Sequence, residues 1–166
     1  MIECGARVTI IGKNAEIVNR IAQEIHCDFI ALNMTDTKQI ISRISDYIKD
    51  KRIGILVNST CILDSEMWLE KTSEDFDLVM NTNLKAAYCM CQTIAGHMIE
   101  YKIQGHILNV SSLSMKPSWG PYQLYKRALI GMTLGFVQRL APNGITVNGL
   151  TSGVTITLMA AKFMII

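Results

Sequence analysis

The chain has 166 residues, of which 49% are hydrophobic and 18% are charged, and its formal net charge is +2. This composition predicts one globular domain over residues 1–166 and excludes a disordered chain, while the small charge gives no reason to expect nucleic acid or a membrane as a partner. No apolar run is long enough to predict a membrane span. Five cysteines without C-x-x-C spacing predict free thiols, no metal site and a cytoplasmic location.

Strand-like and helix-like segments alternate along the chain. Apolar, β-branched runs predict strands in "ARVTIIG" (6–12), "CDFIALNM" (27–34), "IGILVNS" (53–59), "GHILNVSS" (105–112) and the second half of "APNGITVNGL" (141–150). Helical spacing predicts helices over 14–25, 35–51, 76–101 and 121–140. Repeated strand–helix–strand units predict an α/β fold, a Rossmann-like parallel sheet with helices on both faces.

The first two helices carry the clearest local signals. Asn14 is a plausible N-cap of the first, whose predicted apolar face is Ile17, Ile21 and Ile25. Thr35 is a plausible cap of the second, whose predicted buried face is Ile40, Ile44 and Ile48.

Polar residues follow the predicted strands at their carboxyl ends, where ligands bind in parallel α/β sheets. They are Gly12-Lys13-Asn14, Asn33-Met34-Thr35-Asp36, Asn58-Ser59-Thr60 and Ser111-Ser112. Each group alone is also what an ordinary loop or helix cap contains. Four such groups at one edge favour a binding site.

Tyr122 and Lys126 lie four residues apart in the last predicted helix and therefore share a face. A nearby ammonium favours phenolate, so Lys126 is expected to lower the pKa of Tyr122 and to make it an acid/base for a carbonyl–alcohol couple. Tyr125 is not expected to form the same acid/base pair with its neighbour Lys126, because adjacent residues diverge on a helix. A tyrosine and a lysine four residues apart also arise by chance in many helices. The hydroxyl of Ser111 or Ser112, just upstream, is suited to bind a substrate oxygen and strengthens the catalytic interpretation. The alternative is that these serines only cap a helix or form a turn.

These motifs resemble the short-chain dehydrogenase/reductase family. The similarity is carried in order by "GARVTIIGKN", "LNMTD", "ILVNST", "VMNTNLKAAY", "NVSS", Tyr122-x-x-x-Lys126 and "LAPNGITVNGL", and it spans about Gly5 to Thr157. The resemblance implies one dinucleotide-binding domain that transfers hydride between a nicotinamide cofactor and a small carbonyl or alcohol substrate.

The resemblance also implies roles by position. Tyr122 is the proton donor, Lys126 lowers its pKa and binds the nicotinamide ribose, Ser112 orients the substrate oxygen, and Asn83 holds a water that links Lys126 to solvent. The residues expected to contact the cofactor are Lys13, Asn33, Met34, Asn58, Tyr122 and Lys126. NADP is expected over NAD, since Gly12-Lys13 stands where NAD-dependent members place an acid.

A homo-oligomer is implied too, through helices Phe76 to Tyr101 and Tyr122 to Leu140. The residues expected at that interface are Ala87, Cys91 and Ala95 on the first helix and Ala128, Met132 and Phe136 on the second.

The departures from the family pattern are substantial. The family's first strand and its glycine-rich turn, which binds the pyrophosphate, are missing, and the C-terminal part is short, so the domain is expected to be truncated at both ends. The strand at 6–12 must then pair with the strand at 53–59, or the sheet has a gap. Cys61 replaces a glycine, and Ser111 or Ser114 is an alternative to Ser112. The alternative to an enzyme is an inactive fragment or a non-catalytic binding or dimerisation relative.

Overall fold

The computed structural model describes residues 2–63, 68–112 and 120–153, and within them it confirms an α/β fold with parallel strands. The strands are β1 (Thr9–Gly12), β2 (Asp28–Ala31), β3 (Ile55–Asn58), β4 (His106–Ser112) and β5 (Thr146–Ser152). The α-helices are α1 (Ala15–Glu24), α2 (Thr37–Ile48), α3 (Ser73–Val79), α4 (Ala86–Glu100) and α5 (Pro121–Leu140), with a π-helix at Met80–Lys85. Short 3₁₀ turns lie at Ile2–Cys4, Trp68–Glu70 and Ala141–Asn143.

The first two helices form largely where the sequence predicts them. The Asn14 side chain caps α1 by accepting from the Ile17 amide at 3.0 Å. The cap of α2 is Asp36, which accepts from Gln39 at 3.0 Å, and not the predicted Thr35. An aspartate at that position suits the partial positive charge of a helix N-terminus.

The two helices differ in which apolar face is covered. Ile40, Ile44 and Ile48 of α2 are buried. The equally spaced Ile17, Ile21 and Ile25 of α1 are 48%, 37% and 41% exposed. α1 instead buries Val18 and Ala22, which face the strands it connects.

The five strands form two separate parallel sheets. β1 pairs with β2, while β3, β4 and β5 form the second sheet in that order. Of the two sequence-based alternatives, the gap is therefore the one observed. Between β1 and β3 lies a cavity of about 760 Å³, bounded by residues Ala6–Ile11 on one side and Ile53–Thr60 on the other. We call this cavity the inter-sheet slot.

A shared helical layer holds the two sheets together. Ile40, Ile44 and Ile48 of α2 pack in one hydrophobic cluster with residues of α4, and that cluster also contains Ile30 of β2 and Leu56 of β3. Thus the core is continuous on the α2–α4 side of both sheets, even though the sheets share no hydrogen bonds.

The long helix predicted over Phe76 to Tyr101 is broken by a π-helical stretch. It begins at Ser73, where Thr72 and Asp75 form a capping box, and it ends at Glu100. The π-helix Met80–Lys85 adds a residue to the helical turn, and such bulges commonly turn side chains toward functional sites. Asn83, within it, is 2% exposed.

The interface face predicted for the first long helix is wrong. Ala87, Cys91 and Ala95 are 8%, 0% and 4% exposed, so they pack inside this chain. On α5, Met132 and Phe136 are half-buried against the core and only Ala128 is exposed. The sequence shows that these helices are apolar but not which side the sheet covers.

Three further observations concern the described residues. All five cysteines are free thiols, as predicted. No group of histidine, cysteine or acidic side chains in the described ranges could hold a metal ion. No described helix is long and apolar enough to span a membrane.

Candidate active site

Helix α5 carries Tyr122 and Lys126 along the carboxyl-terminal half of β4. Gly120 in extended conformation and Pro121 at the first helical position start the helix just before Tyr122. Lys126 is only 7% exposed, and its Nζ donates to the Val110 carbonyl at 2.9 Å. In return, Ser111 Oγ donates to the Lys126 carbonyl at 3.1 Å. These two bonds fasten the start of α5 to the end of β4 and fix the site.

The lysine ammonium lies between two tyrosine rings. Lys126 Nζ is 5.6 Å from the centroid of Tyr122 and 5.0 Å from that of Tyr125. The rings contact each other edge to face, with centroids 5.2 Å apart. The ammonium thus approaches the ring of its chain neighbour Tyr125 as well as that of Tyr122, while the prediction that Tyr125 is not its acid/base partner stays a prediction.

Burial sets the protonation of this cluster. It raises the pKa of Tyr122, with Cys61 raising it further and the nearby Tyr125 hydroxyl opposing the shift. Burial also lowers the pKa of Lys126, an effect that Cys61 opposes. The expected lowering of the Tyr122 pKa is thus reversed, since Nζ is directed to a carbonyl and the ring is desolvated. A neutral phenol can donate a proton at pH 7.

Only one of the two tyrosines is placed to meet a substrate. Tyr122 is half-buried, whereas Tyr125 is 1% exposed. The Tyr125 hydroxyl makes no well-formed hydrogen bond within the described part of the chain, and burial foremost raises its pKa strongly. Tyr125 is therefore a packing residue, and Tyr122 is the candidate acid.

The two serines at the end of β4 have different roles. Ser111 is 2% exposed and is committed to the Lys126 carbonyl. Ser112 is the last residue of β4 and is half-buried, and its position at the strand end makes it the candidate to hold a substrate oxygen. Ser114, the remaining alternative, lies outside the described residues.

Asn83 binds the loop that follows β3. Its Oδ1 accepts from the Ile62 amide and its Nδ2 donates to the Ile62 carbonyl, both at 2.8 Å. This pair holds the backbone next to Cys61, which influences the pKa values of Tyr122 and Lys126. The water-holding role of Asn83 stays a prediction, and the observed role is to position this loop.

A buried polar network crosses the second sheet beneath the site. Asn58 Nδ2 donates to Asn109 Oδ1 at 2.8 Å and to Cys91 Sγ at 3.1 Å. Asn109, which is 0% exposed, donates to Thr133 Oγ1 at 2.9 Å, and Thr133 donates to the Leu129 carbonyl at 2.7 Å. Sequence reasoning missed Asn109. A polar residue inside the apolar run "HILNV" was the signal for Asn109.

The residues predicted for the adenosine end of the cofactor lie after β1 and β2. Lys13 is exposed directly after β1. A side chain at Gly12 would meet Val18 Cγ2 at 2.6 Å, so an acidic residue there would not fit without moving α1. Asn33 Oδ1 accepts from the Thr35 amide at 3.2 Å. Met34 is buried in the core beside the slot, and its contact with adenine stays a prediction.

The donor set fits one part of a dinucleotide better than another. Asn58, Ser112, Tyr122 and Lys126 provide hydroxyl, amide and ammonium groups suited to a ribose and a nicotinamide amide. The described residues include no glycine-rich turn that could bind a pyrophosphate. The inter-sheet slot lies between β1 and β3 instead. The residues present therefore fit the nicotinamide end.

The chain is similar to known proteins over most of its length. Residues 1–164 match the short chain dehydrogenase family. The chain is 34% identical over 139 residues to 3-oxoacyl-[acyl-carrier-protein] reductase FabG of Thermotoga maritima, covering 81% of this chain and 56% of that protein. It is 28% identical over 169 residues to gluconate 5-dehydrogenase of Gluconobacter oxydans, covering 96% and 66%.

Solved structures have the same fold. ElxO, solved with NADP bound, is 29% identical with a TM-score of 0.85, covering 97% of this chain and 68% of that one. A gluconate 5-dehydrogenase of Beutenbergia cavernae has a TM-score of 0.90 at 22% identity, covering 97% and 67%, which shows the fold alone. The chain spans just over half the length of the Thermotoga protein and about two thirds of these structures.

Proposed function

Because the chain belongs to the short-chain dehydrogenase/reductase family, we propose that its site exchanges hydride and a proton between NADP(H) and a small carbonyl or alcohol substrate, with Tyr122 as the acid/base. The observation that supports this proposal is the cluster at the end of β4. A half-buried tyrosine with a raised pKa lies near a buried lysine. Both are on a helix that is hydrogen-bonded to the strand ending at Ser112, whose hydroxyl suits a substrate oxygen.

The proposed mechanism assigns each residue one task. The cofactor, when bound, supplies the hydride. Ser112 donates a hydrogen bond to the substrate oxygen and fixes its position. Tyr122 gives its proton to that oxygen, so that a carbonyl becomes an alcohol and the phenol becomes a phenolate. Lys126 stabilises the phenolate through its nearby positive charge.

NADP is proposed over NAD because of the residues after β1. Lys13 is exposed there and offers a positive charge to a 2′-phosphate. An acid at Gly12, which would favour NAD, would require the Val18 side chain to shift. The name of a pig relative, carbonyl reductase [NADPH] 2, 32% identical over 110 residues, points the same way. Lys13→Glu should weaken NADPH binding more than NADH binding.

A homo-oligomer is proposed through the exposed apolar side of α4 and α5. Tyr88 on α4 and Leu134 and Val137 on α5 are 47%, 60% and 37% exposed, and Phe136 contacts Tyr88 with ring centroids 5.5 Å apart. The proposed interface therefore uses this exposed surface and not Ala87, Cys91 and Ala95, which are buried within the chain.

One observation favours the non-catalytic alternative. The slot interrupts the sheet where a dinucleotide would cross from the end of β1 to the end of β3. The site should therefore lose more of its control over the orientation of the cofactor than of its affinity for it. A binding or dimerisation relative would keep the same fold without catalytic turnover.

The experiment compares two tyrosines three residues apart. NADPH oxidation by the full chain at high protein concentration, with a panel of ketones and aldehydes, should fall at least ~100-fold in Tyr122→Phe and stay within about twofold in Tyr125→Phe. Saturation-transfer NMR with NADPH should give equal binding for both variants. Equal rates in the wild type and Tyr122→Phe, or no carbonyl-dependent oxidation with any substrate, would favour the non-catalytic alternative.

A further inference from the structure

A second cavity lies at the amino ends of β1 and β2. Its volume is about 820 Å³, and it is lined by the starts of these two strands and by side chains from the second halves of α1 and α2. We call it the amino-end cavity. Lys13 and Asn33, two of the residues predicted to contact the cofactor, follow the carboxyl ends of the same two strands. The amino-end cavity is therefore at the opposite edge of this sheet from the predicted cofactor contacts.

Two cations line the cavity beside Tyr47. Lys51 Nζ lies 3.9 Å from the centroid of the Tyr47 ring and donates to the Tyr47 carbonyl at 3.1 Å. Burial foremost raises the pKa of Tyr47, and the charge of Arg7 opposes that shift, so the guanidinium is close to the phenol. Within the described residues, neither cation forms an ion pair with a carboxylate. Both charges are therefore available to an anionic ligand, and this pair of side chains suits a phosphate.

Asp28 adds one acidic group at a fixed position. The Tyr47 hydroxyl donates to Asp28 Oδ2 at 3.1 Å, and the same hydroxyl accepts from Thr9 Oγ1 at 2.7 Å. The other carboxylate oxygen, Oδ1, has no hydrogen-bond partner in the part of the chain that the structure describes. A carboxylate repels a phosphate placed directly on it, but its open oxygen accepts from the hydroxyls of a ribose. The α2 side of the cavity thus suits a phosphate with a sugar next to it.

The α1 side of the cavity offers a ring and two amides. Asn19 and Gln23 are four residues apart on α1 and both line the cavity, so they share one face of the helix. Neither side-chain amide has a hydrogen-bond partner among the described residues. Phe29 is 39% exposed, and it lies on the opposite face of β2 from its neighbour Asp28. An aromatic ring stacks on a nucleobase, and an asparagine or glutamine amide pairs with the donor and acceptor edge of adenine.

We propose that the amino-end cavity binds an adenine nucleotide with one phosphate, at a site separate from the predicted cofactor contacts. The phosphate pairs with Arg7 and Lys51 on the α2 side. The ribose hydroxyls donate to Asp28, and the adenine lies on Phe29 with its edge toward Gln23. The observed volume is in the range of roughly 300–1,000 Å³ that is usual for small-molecule sites. The inference does not depend on the proposed function.

The test is an NMR titration of the full chain with AMP. AMP should bind saturably, with a dissociation constant below about 1 mM, and should shift the side-chain amide signals of Asn19 and Gln23. Adenosine, which lacks the phosphate, and ribose 5-phosphate, which lacks the base, should each bind at least ~10-fold more weakly. No saturable binding of AMP, or equal binding of AMP and adenosine, would overturn the proposal.

Three variants locate the bound nucleotide. Arg7→Gln should weaken AMP binding at least ~10-fold, because it removes a cation from the phosphate. Arg20→Gln is the matched control, since Arg20 lies on α1 outside the cavity and pairs with Glu24 at 3.8 Å, and it should change binding by less than about twofold. Lys13→Glu alters the other edge of the sheet and should leave the AMP-induced shifts of Gln23 in place. Loss of AMP binding in Lys13→Glu but not in Arg7→Gln would place the nucleotide among the predicted cofactor contacts and overturn the proposal.

Discussion

Replacing Asn83 by alanine tests whether the π-helix holds the loop beside the site. The change removes both 2.8 Å hydrogen bonds to the Ile62 backbone and leaves an amide and a carbonyl in a half-buried place without partners. Each lost bond costs about 1–2 kcal/mol when its partner is left unsatisfied, so the free energy of unfolding should fall by roughly 2–4 kcal/mol. That is a large share of a typical stability of about 5–15 kcal/mol.

The assay is urea unfolding followed by circular dichroism, with two comparison variants. Asn81→Ala lies in the same π-helix, its side chain has no hydrogen-bond partner in the described part of the chain, and it should change stability by less than ~0.5 kcal/mol. Asn83→Asp keeps the acceptor for the Ile62 amide but turns a carboxylate toward the Ile62 carbonyl, so it should be nearly as damaging as alanine. If Asn83→Ala lowers the free energy of unfolding no more than Asn81→Ala does, the two hydrogen bonds between Asn83 and Ile62 do not stabilise the loop.

Four further predictions concern the site and the surfaces. Tyr125→Phe removes a buried hydroxyl without a well-formed partner and should raise the free energy of unfolding by about 1 kcal/mol in urea titration; a loss of stability would contradict this. Alcohol oxidation needs the Tyr122 phenolate, and the pKa of Tyr122 is raised, so any rate of oxidation should rise about tenfold per pH unit between roughly pH 7 and 9. The rate of carbonyl reduction, which needs the neutral phenol, should stay flat over that range. A plateau in the oxidation rate would show that the pKa is lowered instead. Calorimetry with NADPH should give a dissociation constant weaker than micromolar, because the described residues lack backbone amides arranged for a pyrophosphate; tighter binding would show that the groove is complete. Leu134→Glu should lower the mass measured by light scattering, while the equally apolar but separate Ile17→Glu should not.

Much of the fold follows from local patterns. The strands and helices were predictable because each is marked by its own period and ends, as in "TIIG" before Asn14 or Pro121 before the last helix. Which face of a helix is covered was less predictable. Ile40, Ile44 and Ile48 were placed correctly, but the same spacing at Ile17, Ile21 and Ile25 produced an exposed face. Periodicity describes the helix and not what packs against it.

The site shows the same division between local and distant information. The spacing of Tyr122 and Lys126 predicted that they share a helix face, and that needed only the helical repeat. The direction of the Tyr122 pKa depends on burial and on Cys61, which is 61 residues earlier in the chain, so spacing alone predicted the wrong sign. Asn109 was missed because its partners Asn58 and Thr133 come together only when β3, β4 and α5 pack.

The slot and the candidate site are mechanically connected through β3. Asn58 ends that strand and donates into the network of Asn109 and Thr133, which lies under α5. The loop after β3 leads directly to Cys61 and to Ile62, which Asn83 holds. The Asn58–Asn109 hydrogen bond restrains the end of β3, and Asn83 restrains the loop that follows it. Loss of either restraint should therefore loosen the same stretch of backbone beside the candidate site.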